Sequence, residues 1–219
     1  MASQKFSFVT VDPVSGSGDQ AVNFSGEKHT GRLQRTINLT VTTNGGAKKA
    51  LVVNQAAAAE AVRSDSPNAS VQKTGGNVTI TGKSNSTKLT FAVTPAEENG
   101  LTLQLPANYT AAGKTTANGA VIADDPGAAG EFVWSITISD VPANITIEEL
   151  TATLKVTAAG GQTANVTVTQ AAGDSTIELD KEVINLDVNG TQQTVNVTSN
   201  DGWTWAQAAA RTVSRMMGR

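Results

Sequence analysis

Residues 39–57 read LTVTTNGGAKKALVVNQAA, and residues 154–172 read LKVTAAGGQTANVTVTQAA. Leu39, Val41, Thr42, Gly45, Gly46, Val53, Gln55, Ala56 and Ala57 recur 115 positions later without a gap. In each copy apolar and β-branched side chains alternate with polar ones. That is the period of a strand with one wet face. A Gly-Gly pair between two such runs supplies the tight turn of a hairpin. Each copy is therefore predicted to be a strand, a turn, a second strand and a closing Gln-Ala-Ala. The simplest reading is that each copy closes one β-sandwich, so sandwiches end near Ala57 and Ala172.

The same period extends outward. From Leu33 to Thr43, Leu33, Ile37, Leu39 and Val41 share one face, with Arg35 the exception on it. Shorter alternations stand at Leu89-Phe91-Val93, Leu101-Leu103-Leu105, Phe132-Trp134-Ile136-Ile138, Ile184-Leu186-Val188 and Val195-Val197. Gly75-Gly76-Asn77, Asn99-Gly100 and Asn189-Gly190 separate them as turns. Many short strands between Gly/Asn turns predict an all-β chain of sandwiches. Helix is expected only as a turn at Ala56–Arg63 and as a short C-terminal helix within Ala206–Met217.

The boundaries divide the chain unevenly. Residues 58–172 number 115, enough for a sandwich of about 100 residues. Residues 1–57 and the 47 residues of 173–219 are each too few to bury a core alone. Together they make one sandwich. The expected organisation is half a sandwich at 1–57, a complete sandwich at 58–172 with a long loop near 107–130, half a sandwich at 173–205, and a basic tail at 206–219. The half at 173–205 is expected to pair with 1–57, as a circular permutation within one chain or as strand complementation between chains. A covering third protein is the remaining reading.

Composition narrows the chemistry. Among 219 residues there is no Cys, one His and one Tyr, and charged residues are 16%. This excludes a disulfide framework, a Cys-based or multi-His metal site, and points away from a Ser-His-Asp triad. The net charge of −3 points away from a general nucleic-acid binder, and no specific nucleic-acid partner is expected. No apolar run approaches a membrane span. After Met1 the run Phe6–Val11 is too short for a secretory core, so the chain is expected to be made without Sec export or to be a mature form. No enzyme, metal or cofactor is expected.

Candidate site residues are few. His29 lies in the polar stretch Gly26–Gly31 and reads as a solvated hairpin tip; Trp134 alternates with Phe132 and Ile136 and reads as core. The acid pairs Glu97-Glu98, Asp124-Asp125 and Glu148-Glu149 are adjacent in sequence, which on a strand sends them to opposite faces. Gly16-Ser17-Gly18 is followed by neither a helix nor Gly-Lys-Thr and reads as turn glycines. Tyr109 to Gly130 reads as a candidate binding loop. Trp203, Trp205 and Tyr109 form a candidate ligand platform. In the tail, Arg211 and Arg215 share a helix face at i, i+4, and with Arg219 give a charge of +3 against −6 for the remainder. These arginines, with Met216 and Met217 to fill an apolar groove, are the candidate partner-binding residues.

A family resemblance joins these parts. Val11, Pro13, Ser15, Gly16, Gly18 and Asp19, followed by Arg35–Thr42 and Leu51–Gln55, resemble the second half of a BACON-type Ig-like domain. Gly190, Gln193-Thr194-Val195, Val197-Thr198-Ser199-Asn200 and Trp203 resemble its first half. The central segment is similar mainly in its closing hairpin and departs around Ala107–Gly130. The resemblance implies Ig-like sandwiches of the kind found in virion proteins of Bacteroidetes phages, including the crAss-like group. It implies further sandwich strands where the tail stands. The expected function is that of an auxiliary capsid or head-decoration protein, located in the virion after synthesis in the host cytoplasm. Its expected partners are the major capsid protein, other virion proteins, and further copies of itself through strand complementation. The alternative is a carbohydrate-binding or adhesion module, since such domains accompany glycan enzymes.

Overall fold

The computed structural model describes residues 2–207. In chain order the strands are β1 (Gln4–Phe6), β2 (Val9–Asp12), β3 (Asn23–Gly26), β4 (Arg35–Thr42), β5 (Lys48–Gln55), β6 (Val62–Ser64), β7 (Asn68–Val71) and β8 (Gly76–Ser84). They continue as β9 (Leu89–Pro95), β10 (Asn108–Ala111), β11 (Lys114–Ala117), β12 (Phe132–Val141), β13 (Leu150–Ala158), β14 (Thr163–Gln170), β15 (Ile177–Leu179) and β16 (Val197–Ser199). The chain is all-β, as its periodicity predicts. One 3-10 turn, Pro126–Ala128, is the helical element among the described residues.

Residues 62–170 form a closed sandwich. One layer has the order β11-β10-β12-β8-β6, the other β7-β14-β13-β9. The chain changes layers between β6 and β7, at Ser66-Pro67, so that β7 lies parallel to β14. Inward positions of both layers meet in one core: Leu89, Trp134, Ile138, Leu154, Val156, Val166 and Val168 are fully buried. Phe91 sits edge-on to Trp134 with centroids 5.5 Å apart. The Trp134 ring occupies the space a side chain would need at Gly82, whose Cβ would lie 2.4 Å from the indole.

The first 57 residues make two smaller sheets, β1-β2-β3 and the hairpin β4-β5. Between them Phe8, Val9 and Val11 are buried, with Ile37, Leu39 and Val53 packed alongside. Arg35, the exception on the apolar face, stacks its guanidinium 4.3 Å from the Phe8 ring and donates to Gln55 Oε1 and to the Glu27 carbonyl. That arrangement keeps its guanidinium hydrogen-bonded and over an aromatic face while its stem covers the small core. At the other end, β15 and β16 form an isolated two-stranded sheet.

The two terminal units sit at opposite ends of the sandwich. At the Ser84 end of β8, Arg32 N–H donates to Gly127 O and Ala58 N–H donates to Gly31 O. Arg32 also pairs with Asp125 and donates from Nε to Asn85 O. At the Gly76 end, Gly173 N–H donates to Thr146 O and Lys73 Nζ lies 2.6 Å from Asp174. The nine residues of β8 separate these anchor points by about 30 Å.

Both junctions are built alike. Asn85 Nδ2 donates to Thr30 O and Ala59 O, and its Oδ1 accepts from Ala61 N–H. Asn200 Nδ2 donates to Ile145 O and Asp174 O, and its Oδ1 accepts from Thr176 N–H. Every partner of Asn200 lies 115 positions after the partner of Asn85. The repeat thus includes the way one unit is joined to the next.

Several expectations are corrected. Closure of 173–205 onto 1–57 within one chain does not occur: β15 and β16 pair with each other, and the anchors hold the halves at opposite ends. Ala56–Arg63 is not helical; it runs as an extended linker into β6 because Ala58 and Ala61 N–H groups are spent on the junction. The loop expected near 107–130 contains the hairpin β10-β11, turned at Ala112-Gly113 with positive φ at both. Leu101-Leu103-Leu105 forms no strand; Leu101 and Leu103 plug the core from an irregular segment. The C-terminal helix expected within 206–217 falls, from residue 208 onward, outside the described residues.

Asn85 is 1% exposed and satisfies three main-chain groups. Asn85→Ala should cost about 2 kcal/mol or more by leaving buried groups unpaired. Asn200→Ala, whose bonds are exposed to solvent, should cost under about 1 kcal/mol. Urea unfolding of both variants measures the contrast.

Candidate interaction surface

Sequence-identified residues divide sharply by burial. Tyr109 is 3% exposed, its ring 4.8 Å from Phe91, and its hydroxyl accepts a hydrogen bond from Leu89 N–H. Burial pushes its phenol pKa up. It is a core residue and not part of a ligand platform. Its inward position follows from the strand β10, where Tyr109 and Ala111 alternate with Asn108 and Thr110. Trp134 is in the core as expected, with its indole N–H lacking a partner.

Trp203 and Trp205 are exposed, 48% and 68%, and stack edge to face with centroids 6.1 Å apart. They stand two residues apart on an extended segment that leaves the Asn200 junction. The partner-binding residues Arg211, Arg215, Arg219, Met216 and Met217 lie outside the described residues. His29 Nε2 is 2.7 Å from Leu33 O, a local tie within its loop. Asp124 pairs with Lys114 and Asp125 with Arg32, so this acid pair serves structure. Among the described residues no three His, Cys, Asp or Glu side chains gather as metal ligands.

What the structure brings together, and the motif search did not single out, is uncovered apolar surface on both terminal units. On the hairpin β4-β5, Val41 is 68% exposed, and Leu51 and Val52 are open as well. Their counterparts in the sandwich, Val156, Val166 and Thr167, lie on a hairpin whose inner face is covered and whose edges pair with β7 and β9. On the C-terminal unit Val183, Ile184, Leu186 and Val188 are exposed in a stretch without strand pairing. Alternation at 184–188 is a signal of a strand, and the missing pairing partner is why no strand forms there. Exposed apolar rows of this kind are candidates for contact surface.

The C-terminal unit is stiffened by two carboxylates. Asp180 accepts from Asn196 N–H at 2.8 Å and from its side-chain amide at 2.7 Å. The main-chain bond from Asn196 is the first cause holding its pKa below the ordinary aspartate value. Asp187 is held low by the Thr191 hydroxyl and main chain. A lowered folded-state pKa gives stabilisation that is present above the ordinary aspartate pKa and is lost as pH falls through the lowered value. Carboxyl NMR titration should therefore find both groups titrating below ordinary aspartate, with the 177–199 resonances shifting in acid before those of β12–β14.

The tryptophans give a second check. Iodide should quench the emission of Trp203 and Trp205 and leave that of Trp134 protected. Quenching should fall to the protected component alone in a Trp203→Phe, Trp205→Phe variant.

A family model for the Toastrack DUF4097 domain matches residues 33–202. No curated protein matches the chain.

Proposed function

The chain belongs to the Toastrack DUF4097 family, and we propose, on grounds separate from that membership, that it is a structural protein of a bacteriophage virion, an auxiliary capsid protein that decorates or reinforces the head. The observation that carries this reading is the placement of uncovered apolar surface at both ends of a closed sandwich, on β4-β5 and on 183–188. A protein so arranged is suited to hold neighbours on either side. The phage assignment rests on the resemblance of residues 10–55 and 176–203 to BACON-type Ig-like halves. The charge division of a −6 body and a +3 tail supports a docking arm, with Arg211, Arg215 and Arg219 meeting acidic or carbonyl groups of the major capsid protein or another virion protein. Many weak contacts repeated on a lattice would supply retention through multivalency.

Removal of residues 206–219 tests the arm. The truncated chain should keep its sandwich, read by the protected Trp134 emission, and should fail to be incorporated into particles. Normal incorporation would remove the arm from the mechanism.

A second reading has one observation in its favour, the exposed pair Trp203 and Trp205. Exposed aromatic rings stack on sugar faces, so a carbohydrate-binding or adhesion role follows if Trp205→Ala abolishes binding on a glycan array. Tyr109 contributes nothing to that platform because it is buried.

A further inference from the structure

The repeat of 115 residues relates more than two hairpins. It carries β6 onto β15 and the end of β8 onto β16 in one register. Val62 pairs with Ser84 and Ser64 with Gly82; Ile177 pairs with Ser199 and Leu179 with Val197. Ser84 Oγ donates to Ala61 O and Ser199 Oγ to Thr176 O. Gly75 and Gly190 both take a left-handed φ, 78° and 69°. The C-terminal unit is therefore the opening of a sandwich, folded as the opening of the central one is. The N-terminal unit is the close of a sandwich: Gln55 Nε2 donates to Glu27 O as Gln170 Nε2 donates to Pro142 O.

The complete sandwich shows what each opening and close requires. Its β7 lies parallel on the edge of β14, with Val168 beside Ala69, Thr169 beside Ser70 and Gln170 beside Val71. Shifted by the repeat, these become Val53 beside Ile184, Asn54 beside Asn185 and Gln55 beside Leu186. Among the described residues the edge of β5 has no such strand, and residues 183–186 have no sheet to join. Gln170 also donates to Gln72 O, and the corresponding carbonyl, that of Asp187, is at the far end of the molecule from Gln55.

We infer that the close of one copy is completed by the opening of a second copy, in the register Val53–Ile184, Asn54–Asn185, Gln55–Leu186. The contact is head to tail. The two junctions leave a sandwich at opposite ends of its long direction, so a composite sandwich carries one chain's central sandwich at one end and the next chain's at the other, which sets successive chains end to end. Because the two junctions have the same hydrogen bonds, each composite sandwich joins the next central sandwich as the units within a chain are joined. Such a contact propagates, giving an open linear array with two sandwiches per chain. Association aligns two rows of main-chain groups and covers Val41, Leu51, Ile184 and Leu186 together. This inference does not depend on the virion reading.

The absence of cysteine makes a disulfide test clean. In the parallel register Asn54 and Asn185 face the same outer side with a Cα separation within disulfide range. Purified full-length Asn54→Cys and Asn185→Cys chains should each stay largely uncrosslinked under mild oxidation. Their mixture should give a covalent dimer containing one of each, and the double variant a ladder of linear oligomers. Thr40→Cys lies two strands across and four residues along from the Asn185 position, roughly 16 Å in all, and with Asn185→Cys should give no ladder. Sedimentation of the unmodified chain should show mass rising with concentration. A monomer at every concentration with no mixed dimer overturns the inference. A cross-link closed within one chain overturns the head-to-tail geometry, and equal ladders from the Thr40 and Asn54 variants overturn the register. Failure to enter particles with an intact ladder would count against the virion reading alone.

Discussion

Asn85 makes three main-chain hydrogen bonds where the N-terminal unit meets the sandwich, and the rest of the architecture follows from it. Its side chain holds the carbonyls of Thr30 and Ala59 and the amide of Ala61, one from the loop between β3 and β4 and two from the linker. That linker then cannot swing. The N-terminal unit is held at one end of β8, and Asn200 performs the same task at the other end. Two hydrogen-bonded joints separated by the length of the sandwich decide that the N-terminal and C-terminal units face away from each other.

That separation leaves hydrogen-bonding edges and apolar rows open in places where a closed sandwich has none. The contrast is internal to the chain. Leu154, Val156, Val166 and Val168 are fully buried, while Val41 and Leu51, at the matching places, meet solvent. The difference lies in what covers them and not in the residues. A hairpin can form from its own turn and register, but its inner face needs a second layer, and an edge needs a strand. A pair of strands alone is marginal; here the N-terminal pair gains Phe8, Val9 and Val11 as a partial second layer, and the C-terminal pair leans on Asp180 and Asn196.

Much of the fold was legible in the residues. The period of two and the Gly-Gly turn place β4, β5, β13 and β14. The recurrence of Gln-Ala-Ala places the ends of units, and Phe132-Trp134-Ile136 announces a core strand. Tyr109 was misread because Asn108–Ala111 has only one large apolar residue; alanine and threonine give a weak alternation, and the surrounding Gly and Asp look like a loop. Leu101-Leu103-Leu105 misled in the other direction, since burial without pairing produces the same alternation as a strand. The open apolar rows of the terminal units could have been found by carrying the 115-residue shift past the hairpins, which also predicts the junction residues.

By itself the sequence determined the local geometry and the repeat: alternation specifies a face, glycine specifies a turn, and equal spacing specifies equal units. These depend on neighbours along the chain. Where the terminal units lie, that the one tyrosine is buried and which valines are not were decided only by the tertiary structure. They depend on the direction in which a junction points, set by hydrogen bonds such as Asn85 to Thr30, 55 residues apart in sequence. No periodicity records that direction, and it is what sets the two terminal units at opposite ends of one molecule.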